Sequence, residues 1–547
     1  MDFREKLTVV RLMERMIPDK TTSNLKLNNR GRVFLTLLSS SFCLFSLPGN
    51  PFPLLAVICF VPLGVALHGA SRKTAMLYGF MFGFIGWLGS TYGLAVGFSS
   101  YVKLNPVEVF LYMLAFCFYL AIPYGLFGLL YGIFQWMDSP LGPLKTSACL
   151  TILISILPSP IPIAPAHSLY VFPLYTQILD IGGESLLLFI LLLVNWLLVD
   201  FILRLRNRKS LKPNLIALTL ITASITSYGY FRLDQHRRNE SKGDRTQVMT
   251  VAGIQPNIPL PEQQPFSADR TGLILSTLLH MSEQALSKNT NVDLIVWPEI
   301  PGKVDCERNS GFNRRLLTFA RYHRTPLLVN CEQSGTDGGK YNTALLIVPD
   351  GTIASYHKQR LFPFAEYLPG EHAFPLLRKI MPGVSRYQSG QDTVVFRVKR
   401  KGFVFVPICY EILFAGHIGI FIKKGGNLLV NPTNDAWFGS SRIPDFLIAA
   451  CVYQSIQYRI PAVRISNSGN SLFIKSSGEW VAGTKTAAFA KAITVASVYL
   501  PANRSPYTYL GDIFLYLLIL IWSISLYFDT SQIRKAQNVK SEICKGT

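Results

Sequence analysis

The stretch Val404-Phe405-Val406-Pro407-Ile408-Cys409-Tyr410-Glu411 runs apolar into a cysteine and then turns polar at once. A buried strand that ends on a thiol, two residues before a carboxylate and with no second cysteine nearby, has two readings. Free cysteine is among the most buried residue types, so packing is the ordinary one. The other is a nucleophile. That reading needs a base or a cation beside the sulfur, because a free thiol with a pKa of about 8.5 is mostly protonated at neutral pH.

Around this stretch, residues 248–500 alternate short β-rich runs ("VDLIVWPE", "PLLVN", "TALLIVP", "NLLVNPT") with helical patterns and turn signals such as Pro349-Asp350-Gly351. That alternation predicts a soluble α/β domain. In α/β folds, ligand-binding and catalytic groups collect at the carboxyl ends of strands. Glu299 ends "LIVWPE", Lys358 and Glu366 share the loop "SYHKQRLFPFAEYLPG", and Glu411 follows Cys409 by two. A carboxylate can take the thiol proton, and an ammonium can stabilise both the thiolate and an oxyanion formed on acyl attack. Cys331, in "LLVNCEQ", also ends a strand ahead of a glutamate. Pattern alone favours Cys409 over Cys331 and leaves packing open for both.

Further out, the composition shifts. The 547-residue chain is 49% hydrophobic and only 16% charged, against roughly 25% charged in typical soluble domains. Apolar segments long enough to span a bilayer fall near 33–47, 52–70, 75–98, 107–136 (containing Pro123), 145–165, 178–203 and 214–231, with a closing one at Tyr509–Phe528. "ILPSPIPIAPAHSLYVFP" between the fifth and sixth cannot be a regular helix throughout and reads as an outer loop or a re-entrant piece. Asp180 and Glu184 precede a span; they read as an interfacial pair or as the lining of a pathway.

The formal charge of +21 sits largely in Arg4 to Arg32, Arg204 to Lys212 and Arg534 to Lys545, each beside an apolar run. Basic residues beside spans set orientation. No basic run is interleaved with aromatics as a nucleic-acid groove would require, so no nucleic-acid partner is expected. The basic stretch ahead of the first apolar run is too long for a usual n-region and no A-x-A-like site follows it, which argues against a cleavable signal peptide. The charge bias predicts a basic cytoplasmic segment at 1–31, a transmembrane domain of about seven helices over 32–231 and a polar linker at 232–247. The α/β domain then lies on the outer (periplasmic) face at 248–500, followed by a returning span at 501–530 and a basic cytoplasmic tail at 531–547. The nine cysteines form no CxxC or Cys/His spacing, so a metal site has no support. A disulfide among Cys306, Cys331, Cys409 and Cys451 stays open.

The motifs "VWPEIP", "YHKQRLFPFAEYLPG", "PICYE" and "NPTNDAWFG", in this order, resemble the nitrilase superfamily. With several spans in front and one behind, the chain resembles the apolipoprotein N-acyltransferase family. The resemblance implies a four-layer αββα sandwich on a multi-span α-helical membrane domain. It implies Glu299 as general base, Lys358 as triad lysine and Cys409 as nucleophile. Glu366 would hold the lysine, Glu411 would be the acidic residue after the cysteine, and the Tyr410 backbone N–H with Lys358 would form the oxyanion hole. Trp437 would line the lipid-facing side, with Arg464 and Asn467 in the substrate-binding set.

The implied partners are a phospholipid acyl donor, a diacylated lipoprotein acceptor and the bacterial inner membrane; no metal or soluble cofactor is implied. The chain departs from the family's pattern in places. No Trp follows "GIQPNIP", where Phe266 is the nearest aromatic. Gln457 and Ile460 stand where a Glu and an Arg are common, and "E-x-x-R" and "GFPW" features are missing ahead of "QILDIGGESLLLFILLLVN". Two other classes share part of the pattern. One is a membrane-tethered nitrilase-type amidase of a small amide. The other is a transporter or scaffold whose outer domain merely binds.

Overall fold

A computed structural model of the chain describes residues 27–100, 102–242, 248–259, 268–289, 291–299, 306, 311–335, 338–399 and 401–545. Most of the basic N-terminal segment, Phe266 and residues 243–247 of the expected linker lie outside these.

The N-terminal half is helical. Helices α1 (Asn29–Ser46), α2 (Val61–Leu67), α3 (Arg72–Ser90), α4 (Tyr92–Ser100), α5 (Pro106–Phe134), α6 (Gly142–Ile156), α7 (Leu179–Arg206) and α8 (Lys212–Lys242) coincide in order with the seven apolar segments. The second segment is a short 3-10 turn at Pro53–Val57 followed by α2, and the third is the α3–α4 pair, bent by 50°. By length and composition α5, α7 and the C-terminal Ile513–Gln532 can each cross a membrane, and α3–α4 makes a fourth if it counts as one span.

Pro123 lies inside α5 without ending it. Neighbouring helices in a membrane domain can re-satisfy the backbone group a proline frees. Helices α3 and α5 approach through glycine: a Cβ on Gly79 would collide with the Tyr124 carbonyl, and one on Gly128 with that of Ala75. Small residues at such crossings let backbones touch where no hydrophobic effect drives helices together.

The Pro-rich stretch is irregular up to a 3-10 turn at Pro165–Val171. It is buried against the C-terminal half, accepting hydrogen bonds from Tyr410 at the Pro160 carbonyl and from Tyr453 at the Ala166 carbonyl.

The expected linker is corrected over 232–242. Helix α8 continues unbroken to Lys242, because this polar run contains no proline or glycine before Gly243 and places Asp234 and Arg238 four apart as an ion pair of 2.7 Å. Its charged face docks on the C-terminal half through Arg237–Glu479 and Lys475–Glu240, both 2.9 Å.

The C-terminal half holds two sheets. One has the order β11-β1-β2-β3-β4-β5 and the other β10-β9-β8-β7-β6. The strands are β1 Val248–Gln255, β2 Leu294–Val296, β3 Leu327–Ser334, β4 Lys340–Ile347, β5 Ile353–His357, β6 Phe396–Val398, β7 Gly402–Phe405, β8 Leu428–Thr433, β9 Ala462–Ser466, β10 Leu472–Ile474 and β11 Ala492–Tyr499. Pairs β1–β2, β2–β3, β7–β8 and β8–β9 are parallel, and the rest are antiparallel.

The period-2 alternation explains the layering. In the first sheet Val251, Leu294, Val296, Leu328, Ala344 and Leu346 share a core with Val404, Leu428, Val430 and Val463 of the second sheet. The alternate residues Ala252, Ile254, Ile295, Val329, Leu345 and Ile347 pack with helices α9 (Ala268–Lys288) and α10 (Gly311–His323). Gly253 lets the two sheets approach closely, since a Cβ there would strike Ile465. Helices α11 (Ala415–Lys423) and α12 (Ile443–Tyr458) cover the second sheet, which completes the αββα sandwich. From Phe446 to Tyr458 every α12 residue is buried, because its other side meets the membrane helices. There Arg459, at the end of α12, donates to buried Asp180 of α7 at 2.6 Å, and Arg232 of α8 pairs with the same carboxylate at 2.7 Å. Helix α13 (Ile513–Lys545) leaves the sandwich and returns to the helical domain, where Asp529 pairs with Lys145 at 2.7 Å.

Candidate active site

The parallel strands β2, β7 and β8 and the antiparallel β5 end on one side of the sandwich, and the chemistry-bearing residues lie just past those ends. Glu299 is two residues past Trp297 after β2, Lys358 follows β5 directly, and Cys409 begins a 3-10 turn four residues after β7. Cys409 has φ +51°, a left-handed conformation uncommon for residues other than glycine. Its cost, of order 1–3 kcal/mol, is tolerated where the surroundings hold the backbone. Here Asn431 on β8 holds it, donating through Nδ2 to the Pro407 carbonyl at 2.7 Å and the Cys409 carbonyl at 3.1 Å.

Lys358 Nζ donates to Glu366 Oε1 at 2.8 Å and lies 3.6 Å from Glu299 Oε1. Asn342 on β4 joins the two carboxylates, donating to Glu299 Oε1 at 2.7 Å and reaching Glu366 Oε1 at 3.3 Å. The Asn342 carbonyl also accepts from the Lys358 backbone N–H at 2.9 Å. All four charged or ionisable side chains are buried. Burial raises the Glu299 pKa, as does the nearby Glu366, against the opposing pull of Lys358 and of hydrogen bonds from Asn342 and the Cys409 thiol. For Lys358, burial works against the charge, but Glu366 and Glu299 outweigh it and the ammonium is held firmly protonated. Burial, with the Glu299 charge, pushes the Cys409 thiol up, so at rest it is protonated. The result is a thiol with its proton, a carboxylate poised to take it, and a fixed cation beside both. The Thr433 hydroxyl is 3.3 Å from Cys409 Sγ and 3.2 Å from Asp435 Oδ1 and can give its one proton to either.

Glu411 is turned away from the sulfur. Fully buried, it accepts from the backbone N–H of Ile408 (2.7 Å), Gln359 (2.7 Å) and Arg360 (3.0 Å), from the Tyr356 hydroxyl (2.8 Å), and from His417 Nε2 at 3.2 Å. Burial alone would raise its pKa, but His417 and the backbone donors outweigh that and hold it below the ordinary value. Glu411 thus ties the cysteine turn to the lysine loop.

These side chains open on a cavity of about 530 Å³. One wall carries Glu299, Lys358, Glu366, Cys409 and Tyr410; the other is apolar, with Leu94, Gly97 and Phe98 of α4, Ile161 of the Pro-rich stretch, and Phe446 of α12. Trp437 also lines it. Arg464 and Asn467 do not reach it. Arg464 is 0% exposed and spends its guanidinium on Asp435 (2.7 and 2.8 Å) and Asn431 (2.9 Å). Asn467 is also 0% exposed and bonds Ile258 N and O and Asn434. Both stand behind the site: a buried arginine needs its carboxylate, and that pair holds β8 and, through Asn431, the cysteine turn.

Cys331 is disulfide-bonded to Cys306, with a Cα–Cα distance of 5.9 Å. It is therefore no nucleophile, and Cys409 is the free cysteine of the cavity.

Two family models match in tandem: "Apolipoprotein N-acyltransferase N-terminal domain" over residues 39–197 and "Carbon-nitrogen hydrolase" over 250–501. Curated apolipoprotein N-acyltransferases align with nearly the whole chain. That of Geobacter metallireducens is 28% identical over 88% of this chain and 92% of its own length. "Apolipoprotein N-acyltransferase 1" of Treponema denticola is 24% identical over 93% and 96%. The chain belongs to the apolipoprotein N-acyltransferase family, within the nitrilase superfamily. Among solved structures, Saccharomyces cerevisiae Nit3 superposes with a TM-score of 0.38 at 15% identity, over 50% of this chain and 97% of that one.

In this apolipoprotein N-acyltransferase family member, sequence reasoning missed Asn342, Asn431, Thr433, Tyr356 and Asp435 around the site. Their one signal is a polar residue where apolar alternation would have it otherwise, as in "KYNTALLI" and "LLVNPT".

Proposed function

We propose that this protein transfers an acyl chain from a phospholipid to the N-terminal amine of a diacylglyceryl-cysteine lipoprotein, through a thioester on Cys409. Glu299 takes the Cys409 proton as the sulfur attacks an ester carbonyl of the donor. The oxyanion is stabilised by the Lys358 ammonium and the Tyr410 backbone N–H, and preorganised donors of this kind are worth roughly 10²–10³ in rate each. The ester C–O bond breaks, Glu299 returns its proton to the leaving alkoxide, and a lysophospholipid departs. The acceptor amine then attacks the thioester. The C–S bond breaks, and the amine's surplus proton passes by way of Glu299 to the sulfur. Glu366 and Asn342 position Lys358 and Glu299 throughout.

The observation that carries this reading is the union of two walls in one cavity: the Glu299–Lys358–Glu366 cluster on Cys409, and an apolar face from membrane-domain residues Leu94, Gly97 and Phe98. A small-amide hydrolase has no use for the second wall. The test is to incubate membranes holding the protein with a labelled phospholipid and a defined diacylated lipopeptide. Label on the peptide amine, with lysophospholipid released, is the expected result. Lysophospholipid without labelled peptide, or neither product, would overturn it.

We also propose that the protein is a multi-pass inner-membrane protein with the sandwich on the periplasmic side. Two independent features support this. Basic residues flank the spans on the opposite face, and the Cys306–Cys331 disulfide suits an oxidising compartment. A membrane-impermeant thiol reagent should reach a Ser241→Cys variant from outside and a Ser210→Cys variant only after permeabilisation; the reverse would invert the topology.

A further inference from the structure

A second, larger cavity of about 1120 Å³ lies against the catalytic one. Tyr410 and Tyr387 line both. Its walls are the Pro-rich stretch, the start of α7, the loop Gln359–Leu368 and the end of α12. None of the acyl-transfer steps above uses it.

Glu184 of α7 lines this cavity, and 26% of its side-chain surface is accessible although the residue lies inside the fold. Its polar contacts are long: Gln454 Nε2 at 3.4 Å and His167 Nε2 at 3.5 Å. His167 Nδ1 is 3.1 Å from the Ala164 nitrogen and 3.3 Å from the Ala164 carbonyl oxygen; in the tautomer in which Nδ1 accepts, a neutral ring presents its Nε2 proton to the carboxylate. Among the described residues no lysine or arginine pairs with Glu184. A carboxylate inside the fold at the start of a span, with no cation beside it, is costly unless a ligand supplies one.

Independently, Gln457 lines the same cavity. It is 0% exposed, and neither its Oε1 nor its Nε2 has a hydrogen-bond partner of good geometry. Leaving such a group unsatisfied costs about 1–3 kcal/mol. Asp512, which accepts from the Tyr507 hydroxyl at 2.6 Å, adds a second negative charge to the lining. The Arg360 guanidinium, 5.6 Å from the Phe414 ring centroid, supplies a positive one.

We propose that this second cavity binds a primary ammonium carried on a lipid, with Glu184 as its counter-charge and the Gln457 amide oxygen accepting one of its hydrogens. The proposal rests on the acyl-transfer reading for its choice of ligand. Under that reading two substrates carry this group: an acyl donor with an ethanolamine head group, and the acceptor with its α-ammonium. Either would enter beside Tyr410, next to the nucleophile.

The test is lipid retention by the full-length Cys409→Ala protein, measured by native mass spectrometry, so that no turnover is needed. The probes are phosphatidylethanolamine, phosphatidylglycerol of the same chains, and a diacylated lipopeptide with a free or an acetylated N-terminus. Adding Glu184→Gln should weaken retention of phosphatidylethanolamine, of the free-amine lipopeptide, or of both, by about tenfold, and leave phosphatidylglycerol and the acetylated peptide unchanged. Which amine responds identifies the source. Gln457→Leu should shift the same ligand by about threefold. Equal loss for all four probes, or no change in any, overturns the proposal; a melting curve matching that of the parent protein shows that the variant is folded. Failure of acyl transfer in the parent enzyme would sink the function proposed above while leaving this binding result to stand or fall by itself.

Discussion

Cys331 and Cys409 look alike in the sequence. Each ends an apolar strand, and a glutamate follows each within two residues. In the fold they have opposite fates. Cys331 lies on β3, bonded to Cys306, and its neighbour Glu332 turns to Lys340 at 2.8 Å and to the Tyr387 hydroxyl at 2.6 Å. Cys409 sits past its strand in a left-handed turn, free, with Glu299, Lys358 and Thr433 around the sulfur. A strand end offers a place for a nucleophile. What the proposed nucleophile has is the company brought by other strands: a carboxylate from β2, an ammonium from β5 and a brace from β8.

Removing the sulfur is the severest test of that contrast. Cys409→Ala should abolish acyl transfer, with a loss of about 10⁴-fold or more, while the protein still inserts in the membrane; a rate assay on reconstituted protein reads it. Cys331→Ser should leave the protein active. If Cys331→Ser were the dead variant, the assignment of the two cysteines would be reversed.

Lys358→Ala and Glu299→Gln come next, each costing roughly 10²–10⁴ in the rate of acyl-enzyme formation. Burial raises the pKa of Glu299, and the proposed mechanism needs Glu299 ionised to act as base. The rate should therefore fall on acidification at a higher pH than an ordinary carboxylate of about 4.3 would give. Asn342→Ala removes a donor that lowers that pKa. It should move the acid limb to still higher pH and cost roughly 10–100-fold. A limb that stays in place would show that Asn342 does not act on the base.

Arg464→Ala tests position rather than chemistry. It strands Asp435 as a buried charge, which costs about 3–5 kcal/mol, visible as a lower melting temperature in detergent. Smallest on activity is opening the disulfide: Cys331→Ser should cost about 2–4 kcal/mol of stability and less than about tenfold in rate.

The parts that were legible are those carried by local pattern. Alternation in "VDLIVWPE" and "GFVFVPICYE" marks strands and their ends and so made Glu299 and Cys409 candidates; joining them with Lys358 and Glu366 in one set took the resemblance of the ordered motifs. Their mutual distances depend on the pairing order of the two sheets, which no single segment encodes. The resemblance put Arg464 and Asn467 in the substrate-binding set, whereas their partners Asp435 and Ile258, brought from elsewhere in the chain, hold them out of the cavity. The Cys306–Cys331 pairing was open for the same reason. Residues 232–242 read as linker from polarity alone, whereas a run free of glycine and proline with an i, i+4 ion pair extends a helix without needing an apolar face.

The most direct measurement is mass-spectrometric mapping of the acyl-enzyme, formed with phospholipid and no acceptor. One acyl group on the Cys409 sulfur, discharged when the diacylated lipopeptide is added, is the result expected. An acyl group on Cys451 or any other side chain, or product formed with Cys409 never acylated, would contradict the role given to this thiol.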